Sequence, residues 1–260
     1  MNLTIYQLDA FTSTVFAGNP AAVVPLREWI SDELMQKIAA ENNLAETAFY
    51  VAEGEQFHIR WFTPTVEVNL CGHATLATAY TIFEYAKYPK TIIEFKSRSG
   101  ILKVEKKGDL LELDFPVDVP VPAETPEELL IGFDATPIET LKGISDYFLV
   151  FENESQIKAL EPDFRTIAQV KCRGIIVTAK GDEVDFVSRF FGPQSGIDED
   201  PVTGSTHTTL TPFWVEKLGK STLSAKQISA RGGELTCTLV GDRVKIAGKV
   251  APYLKGEIFV

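Results

Sequence analysis

The sequence predicts an α+β (α/β) protein of two similar halves, each offering a helix start to an active site between them. Three observations carry this. Strand-like segments alternate with amphipathic helical ones, a proline-rich acidic stretch interrupts the chain near its middle, and a motif of the first half returns in altered form in the second. At 260 residues the chain is near the size at which one core stops growing and chains divide. Its composition, 45% hydrophobic and 23% charged, is that of an ordinary folded protein, so a large core is available.

The elements follow in order. "LTIYQLDAF" opens as a strand, and "FAGNPAAVVPL" supplies a Gly-Asn-Pro turn before a short buried apolar run. "SDELMQKIAAENNL" has Ser31 to cap it, acids in the first turn, Leu34, Met35 and Ile38 on one face, and a stop at Asn42-Asn43, which makes a helix. "ETAFYVA" and "QFHIRWFTP" read as strands, the second placing Phe57, Ile59 and Trp61 on one side. A helix from Gly72 to Tyr85 is expected to bury Leu76, Ala79, Tyr80 and Phe83. "IIEFKSRSGILKVEKKGDLLELDFP" reads as antiparallel strands broken at Gly100 and Gly108. "PVDVPVPAETPEE" is the linker candidate, which divides the chain into residues 1–117 and 118–260. "DYFLVFEN", "GIIVTAKG", "GDEVDFVSRFFGP" and the tail are strand-like, and whether the last strand returns to the first half stays open.

The net charge of −11, with no Lys/Arg cluster, argues against nucleic acid and membrane surfaces as partners. It leaves room for a small anionic substrate. The start of the chain lacks a basic segment followed by an apolar one, no apolar run is long enough to span a bilayer, and Cys71, Cys172 and Cys237 are an odd, scattered set. A cytoplasmic protein with reduced thiols is the expectation.

The internal repeat is the informative feature. "RWFTP" (60–64) matches "RFFGP" (189–193), and each leads through a polar loop, three residues longer the second time, into a helix start rich in small residues. Aligning "CGHATLATA" with "TGSTHTTLT" pairs Cys71 with Thr203, Gly72 with Gly204 and His73 with Ser205. The first amides of a helix lack intrahelical partners and carry partial positive charge. Two such ends, with Gly72 and Gly204 permitting close approach, would hold a carboxylate without Lys or Arg. The structural alternative is that both glycines serve helix–strand packing. Against it, "STHTTLTPFW" is β-branched and broken by Pro212, a poor helix beside a motif.

"DAFTSTVFAGNPAAVV", "NNLAETAFY", "RWFTPTVEVNLCGHATLATA" and "GIDEDPVTGST" together resemble the PhzF phenazine-biosynthesis-like family. The resemblance implies a diaminopimelate-epimerase-like fold, each half a mixed, largely antiparallel sheet around a central helix, no cofactor, and isomerase chemistry by acid–base proton transfer. It assigns catalytic roles to Glu46, His73 and Asp200, and it places Ser205, with Gly72, Gly204 and Asn19, on the substrate. A homodimer is a further expectation by resemblance.

Read without the family, Glu46 at a strand end beside Leu44 and Ala45 is either a solvated surface carboxylate or a desolvated one whose pKa rises. His73, Asp200 and Ser205 each have a structural or capping reading. Cys71 and His73 alone are two potential ligands, which do not make a metal site. Diaminopimelate epimerases use two cysteines as acid and base, whereas the second position here is Thr203, so proton traffic must fall to carboxylate and imidazole. Dinucleotide, P-loop, zinc-protease and serine-hydrolase signatures are missing from the sequence. The reading is a cofactor-independent isomerase acting on a small carboxylate. Its rivals are a non-catalytic small-molecule binding protein and a metal- or thiol-dependent hydrolase.

Overall fold

A strand that buries Leu8, Ala10 and their neighbours opens the chain: β1 (Asn2–Ala10) pairs antiparallel with β2 (Asn19–Leu26), Tyr6 opposite Val23. The computed structural model describes all residues 1–260, which divide into two units, Met1–Phe115 with Ile246–Val260, and Pro116–Lys245. Gly18 makes the β1–β2 turn possible. Its φ is +65°, and a Cβ there would lie 2.2 Å from the Ala10 carbonyl oxygen, so only glycine fits.

In the first unit, helix α1 (Asp32–Asn42) starts where Ser31 Oγ accepts the Leu34 amide at 3.2 Å and stops at Asn43, whose φ of 49° is left-handed. Its Met35, Ile38 and Ala39 join Val24, Phe49 and Phe62 in one core cluster. Strand β3 (Glu46–Glu53) lies parallel to β2 with Glu46 opposite Ala21, and β4 (Gln56–Phe62) returns antiparallel, burying Phe57, Ile59 and Trp61 as their alternation requires. After the two-residue β5 (Glu67–Val68) comes α2 (Gly72–Glu84), then the meander β6 (Ile92–Ser97), β7 (Gly100–Lys107) and β8 (Leu110–Pro116).

Helix α2 departs from the expected stripe. His73 through Ala79 are all buried, as are Thr81, Ile82 and Phe83, whereas Tyr80 is only half-buried. Alanine and threonine make this possible. The Thr75, Thr78 and Thr81 hydroxyls donate to the carbonyls of Cys71, Ala74 and Ala77 at 2.5, 2.7 and 3.0 Å, so the helix brings no unmet hydroxyl into the core at these positions.

The second unit begins inside the predicted linker. Val121–Pro122 forms β9, and α3 (Glu127–Phe133) follows the last of its prolines; β9 pairs with β10 (Glu139–Lys142). Strand β11 (Asp146–Val150) lies parallel to β12 (Gly174–Lys180), with the short helices α4 (Glu154–Ala159) and α5 (Phe164–Ile167) between them in sequence. These three helices escape a periodicity reading because none exceeds two turns. Next come β13 (Phe186–Phe191), antiparallel to β12, and, after a 3-10 turn at Gly204–Thr206, helix α6 (His207–Leu218). Then β14 (Thr222–Gln227) lies parallel to β13 and β15 (Gly233–Val240) antiparallel to β14, before β16 (Arg243–Gly248).

The final strand, β17 (Val250–Phe259), pairs antiparallel along the whole of β1, from Asn2 opposite Phe259 to Ala10 opposite Val250. Residues 246–260, counted by sequence with the second half, therefore belong to the first unit. No helix is long and apolar enough to cross a membrane.

Helix α6 forms through Pro212. The Thr208 and Thr211 hydroxyls donate to the Ser205 and His207 carbonyls at 2.7 and 2.5 Å, and buried Leu210, Phe213 and Trp214 anchor the helix, Trp214 stacking on Phe186 at 5.8 Å. His207 is fully buried, its Nδ1 2.9 Å from the Thr203 carbonyl, and burial pushes its pKa down to about 4. The folded protein thus refuses a proton that the unfolded chain accepts below 6.5. Stability is expected to fall as pH drops from 6.5 to about 4, by about 3 kcal/mol for this group, and urea midpoints of His207→Gln should lose that part of the acid slope.

Candidate active site

Both repeated helix starts are held by the same device. In the first unit, Arg60 of β4 donates Nε and Nη2 to the two oxygens of Glu67 at 2.7 and 2.8 Å, which pins the loop leading to α2. In the second, Arg189 of β13 grips Glu199 at 2.7 and 3.0 Å, pinning the loop to the 3-10 turn, and reaches the Ile157 and Leu160 carbonyls. The partners stand 7 residues apart in one case and 10 in the other, which is the three-residue difference between the two loops. A two-bond guanidinium–carboxylate fork fixes orientation as well as distance. Both arginines lie inside the matched "RWFTP" and "RFFGP" segments; their glutamate partners were not recognised in the sequence.

Neither helix start has a side-chain cap, in contrast to α1, α4 and α5, capped by Ser31, Asn153 and Asp163. Gly72 is the first residue of α2 and half-buried; Gly204 is the first of the 3-10 turn and buried.

The first unit brings Glu46 and His73 together. Glu46 begins β3 immediately after α1 ends, and His73 is in the first turn of α2. Glu46 Oε2 lies 3.1 Å from His73 Nε2, with the two side chains only 13% and 7% exposed. Cys71 completes the cluster, its sulfur 3.6 Å from His73 Nδ1 and 3.9 Å from Nε2. Asn19, buried at the start of β2, stands two residues before Ala21, the register partner of Glu46, so it shares that sheet face.

Charge settles on carboxylate and imidazole. Burial acts to raise the Glu46 pKa, but the His73 charge and hydrogen bond, with the Cys71 thiol, bring it below the ordinary carboxylate value. This corrects the expected upward shift: the sequence shows the apolar neighbours of Glu46 but not the imidazole that meets it. Burial likewise opposes a charged His73, yet the Cys71 sulfur and the Glu46 carboxylate hold its pKa well above 6.5. Burial, then the Glu46 charge, pushes Cys71 up to about 11, so the thiol keeps its proton near neutrality.

Glu46, Cys71 and His73 offer three donor atoms within 4.8 Å of one another, one more than the sequence suggested. A metal bound there would have to expel the thiol proton and the imidazolium proton, both firmly held.

In the second unit, Asp200 Oδ2 accepts the Thr203 hydroxyl at 2.5 Å, so Thr203, the counterpart of Cys71, serves this loop as a hydroxyl donor. Gln227, buried at the end of β14, donates to the Asp200 carbonyl at 2.7 Å and accepts the Thr203 amide at 2.8 Å. Ser205 Oγ accepts Nη1 of Arg173 at 2.9 Å. Gln227 and Arg173 went unrecognised in the sequence, where neither stands in a motif.

Against known proteins, residues 8–256 match the family model for phenazine biosynthesis-like proteins. An uncharacterized isomerase of Pseudomonas aeruginosa is 50% identical over 258 residues, covering 99% of both chains. The structure of a PhzF-family phenazine biosynthesis protein from Enterococcus faecalis superposes with a TM-score of 0.98 at 45% identity over the whole of both chains. A predicted epimerase of P. aeruginosa, 18% identical and covering 99% of both chains at a TM-score of 0.76, shares the fold. Fold and relatives define the class, an isomerase. The chain belongs to the phenazine biosynthesis-like family.

The ion pair has a pH signature. The Glu46 contribution is complete above 4.5 and is lost as pH falls through its lowered value; the His73 contribution is complete below 6.5 and is lost as pH rises through its raised value. Both are present between 4.5 and 6.5, where His73→Gln should cost on the order of 3 kcal/mol by leaving a buried carboxylate unpaired. Chemical denaturation across pH should show that difference shrinking on the alkaline side. Cys71 should resist iodoacetamide at neutral pH and react as pH approaches about 11, read by peptide mass spectrometry.

Proposed function

We propose that the protein is a cofactor-independent isomerase that moves a proton on a small carboxylate-bearing metabolite. The buried Glu46–His73 pair at 3.1 Å carries this reading. Glu46 rests as a carboxylate, so it is ready to accept a proton as a C–H bond of the substrate breaks, and the electron pair left behind enters the substrate's conjugated acid. Glu46 then returns the proton at another carbon. His73, held as imidazolium, offsets the negative charge that remains nearby.

Asp200 supplies the further acid–base group in this proposal. Ser205 and the uncapped amides near Gly72 and Gly204 hold the substrate's acid group, and Asn19 lies toward the substrate from the face it shares with Glu46. The net charge of −11 supports a small-molecule substrate rather than nucleic acid or an anionic membrane, and the three free cysteines support a cytoplasmic setting.

The test is solvent exchange. In deuterium oxide, with a panel of small unsaturated carboxylates, the wild type should place deuterium at a substrate carbon, read by NMR. Glu46→Gln should keep the native circular dichroism and slow exchange by a factor on the order of 100 or more. Exchange at the wild-type rate in Glu46→Gln would remove the assignment.

A further inference from the structure

Strand β17 uses one side of its backbone and leaves the other open. It pairs with β1, whose second side is taken by β2, and β2 continues to β3, so β17 is the edge of this sheet. The Val260 amide donates to the Met1 carbonyl at 2.8 Å, with Asn2 opposite Phe259. Backbone groups turn alternately to either side, so Val260, Ile258 and Gly256 spend theirs on β1, and the N–H and C=O of Phe259, Glu257 and Lys255 turn away from it. At the other end a bulge leaves Tyr253 between the Gln7–Leu254 and Leu8–Pro252 pairs, and Pro252 has no amide, which closes the open stretch. The strand runs 10 residues, Phe259 is 77% and Tyr253 49% exposed, and Leu254 and Val260 are exposed with them. Such an edge is a template for another chain unless something covers it.

The sequence of this strand is complementary to its own reverse. About Gly256, Tyr253-Leu254-Lys255 is answered by Glu257-Ile258-Phe259: aromatic, aliphatic and cation on one side, anion, aliphatic and aromatic on the other. Two antiparallel copies with Gly256 on the axis set Lys255 against Glu257, Leu254 against Ile258 and Tyr253 against Phe259. Lys255 and Glu257 both turn their backbone groups outward, so this register joins hydrogen-bonding positions to each other. The neighbouring registers with the same parity put Lys255 against Lys255 or Glu257 against Glu257, like charges face to face. Within the chain, Lys255 Nζ rests 5.7 and 5.3 Å from the ring centroids of Tyr6 and Tyr85, and Glu257 stands opposite Thr4, so both charges remain available. The chain itself does not need glycine at 256: a Cβ there would meet only the Leu254 side chain, at 3.7 Å. On the axis it would face its own copy at a non-hydrogen-bonded position, where Cα atoms approach to about 4.5 Å.

We propose that β17 is a docking edge for a second copy of this chain, paired antiparallel with the same strand about a two-fold axis at Gly256. The sheet that carries Asn19 and Glu46 then runs on through β2, β1 and β17 into the second copy. The proposal is independent of the proton-transfer reading, and it gives the association a surface and a register.

The experiment is sedimentation velocity on the full chain across a concentration series. The wild type should sediment at twice the 28.7 kDa of one chain. Lys255→Glu and Glu257→Lys each place like charges against each other on both sides of the axis, and each should raise the dimer Kd by about tenfold or more with the native circular dichroism kept. An equimolar mixture of these two variants should associate again, because every glutamate of one then meets a lysine of the other. The double variant Lys255→Glu/Glu257→Lys should dimerise like the wild type for the same reason. Gly256→Val, which the single chain accommodates, should stay folded and dissociate. A wild type that is monomeric at its highest soluble concentration overturns the proposal. So do single variants that dimerise as tightly as the wild type, which would move the interface elsewhere, and a mixture that associates no better than its parts, which would remove the register.

Discussion

The bidentate arginine–glutamate fork is the constraint on which the helix start of each unit depends. An uncapped helix start is a costly object, with polar amides left over and small residues that do little to hold a loop in place. Arg60–Glu67 and Arg189–Glu199 supply the missing rigidity from outside, at the end of the preceding strand. With the loop tied there, the helix ends do not need Ser, Asp or Asn caps that would occupy the same amides. The second loop carries three more residues, and the glutamate has moved with it, so the tie has kept its chemistry while the sequence spacing changed.

What distinguishes the two halves is the group placed behind each helix start. In the first, imidazole and carboxylate neutralise each other almost out of reach of solvent, and the direction of their pKa shifts follows from mutual attraction overcoming burial. In the second, the imidazole position is taken by Ser205, and charge arrives instead on Arg173. The cysteine of the first half becomes Thr203, which bonds Asp200. One ancestral-looking motif thus hosts an acid–base pair in one unit and a polar, cation-backed loop in the other.

Much of this was legible in the sequence, and the exceptions have physical reasons. Helix α1 was readable because Ser31, the first-turn acids and the Asn pair are local signals, and β4 because Phe57, Ile59 and Trp61 alternate. The helix starts were readable because glycine and other small residues mark close approach. Burial all around α2 was not, since threonines that bond their own backbone look polar on paper. The depressed pKa of Glu46 depends on a residue far along the chain, as does the clamp of Gln227 on the Asp200 loop. Arg173 stands in no motif; only the fold sets it against Ser205.

The pairing of β17 along β1 has a consequence for biosynthesis. Residues 116–245 form one compact unit, which in the sequence falls between the two pieces of the other. As the chain leaves the ribosome, that inner unit can settle while the outer one still lacks its closing strand, which is translated after it. The carboxylate–imidazole pair therefore sits in a sheet whose edge along β1 stays open until β17 has been made, the longest-range pairing in the molecule and the slowest kind to form.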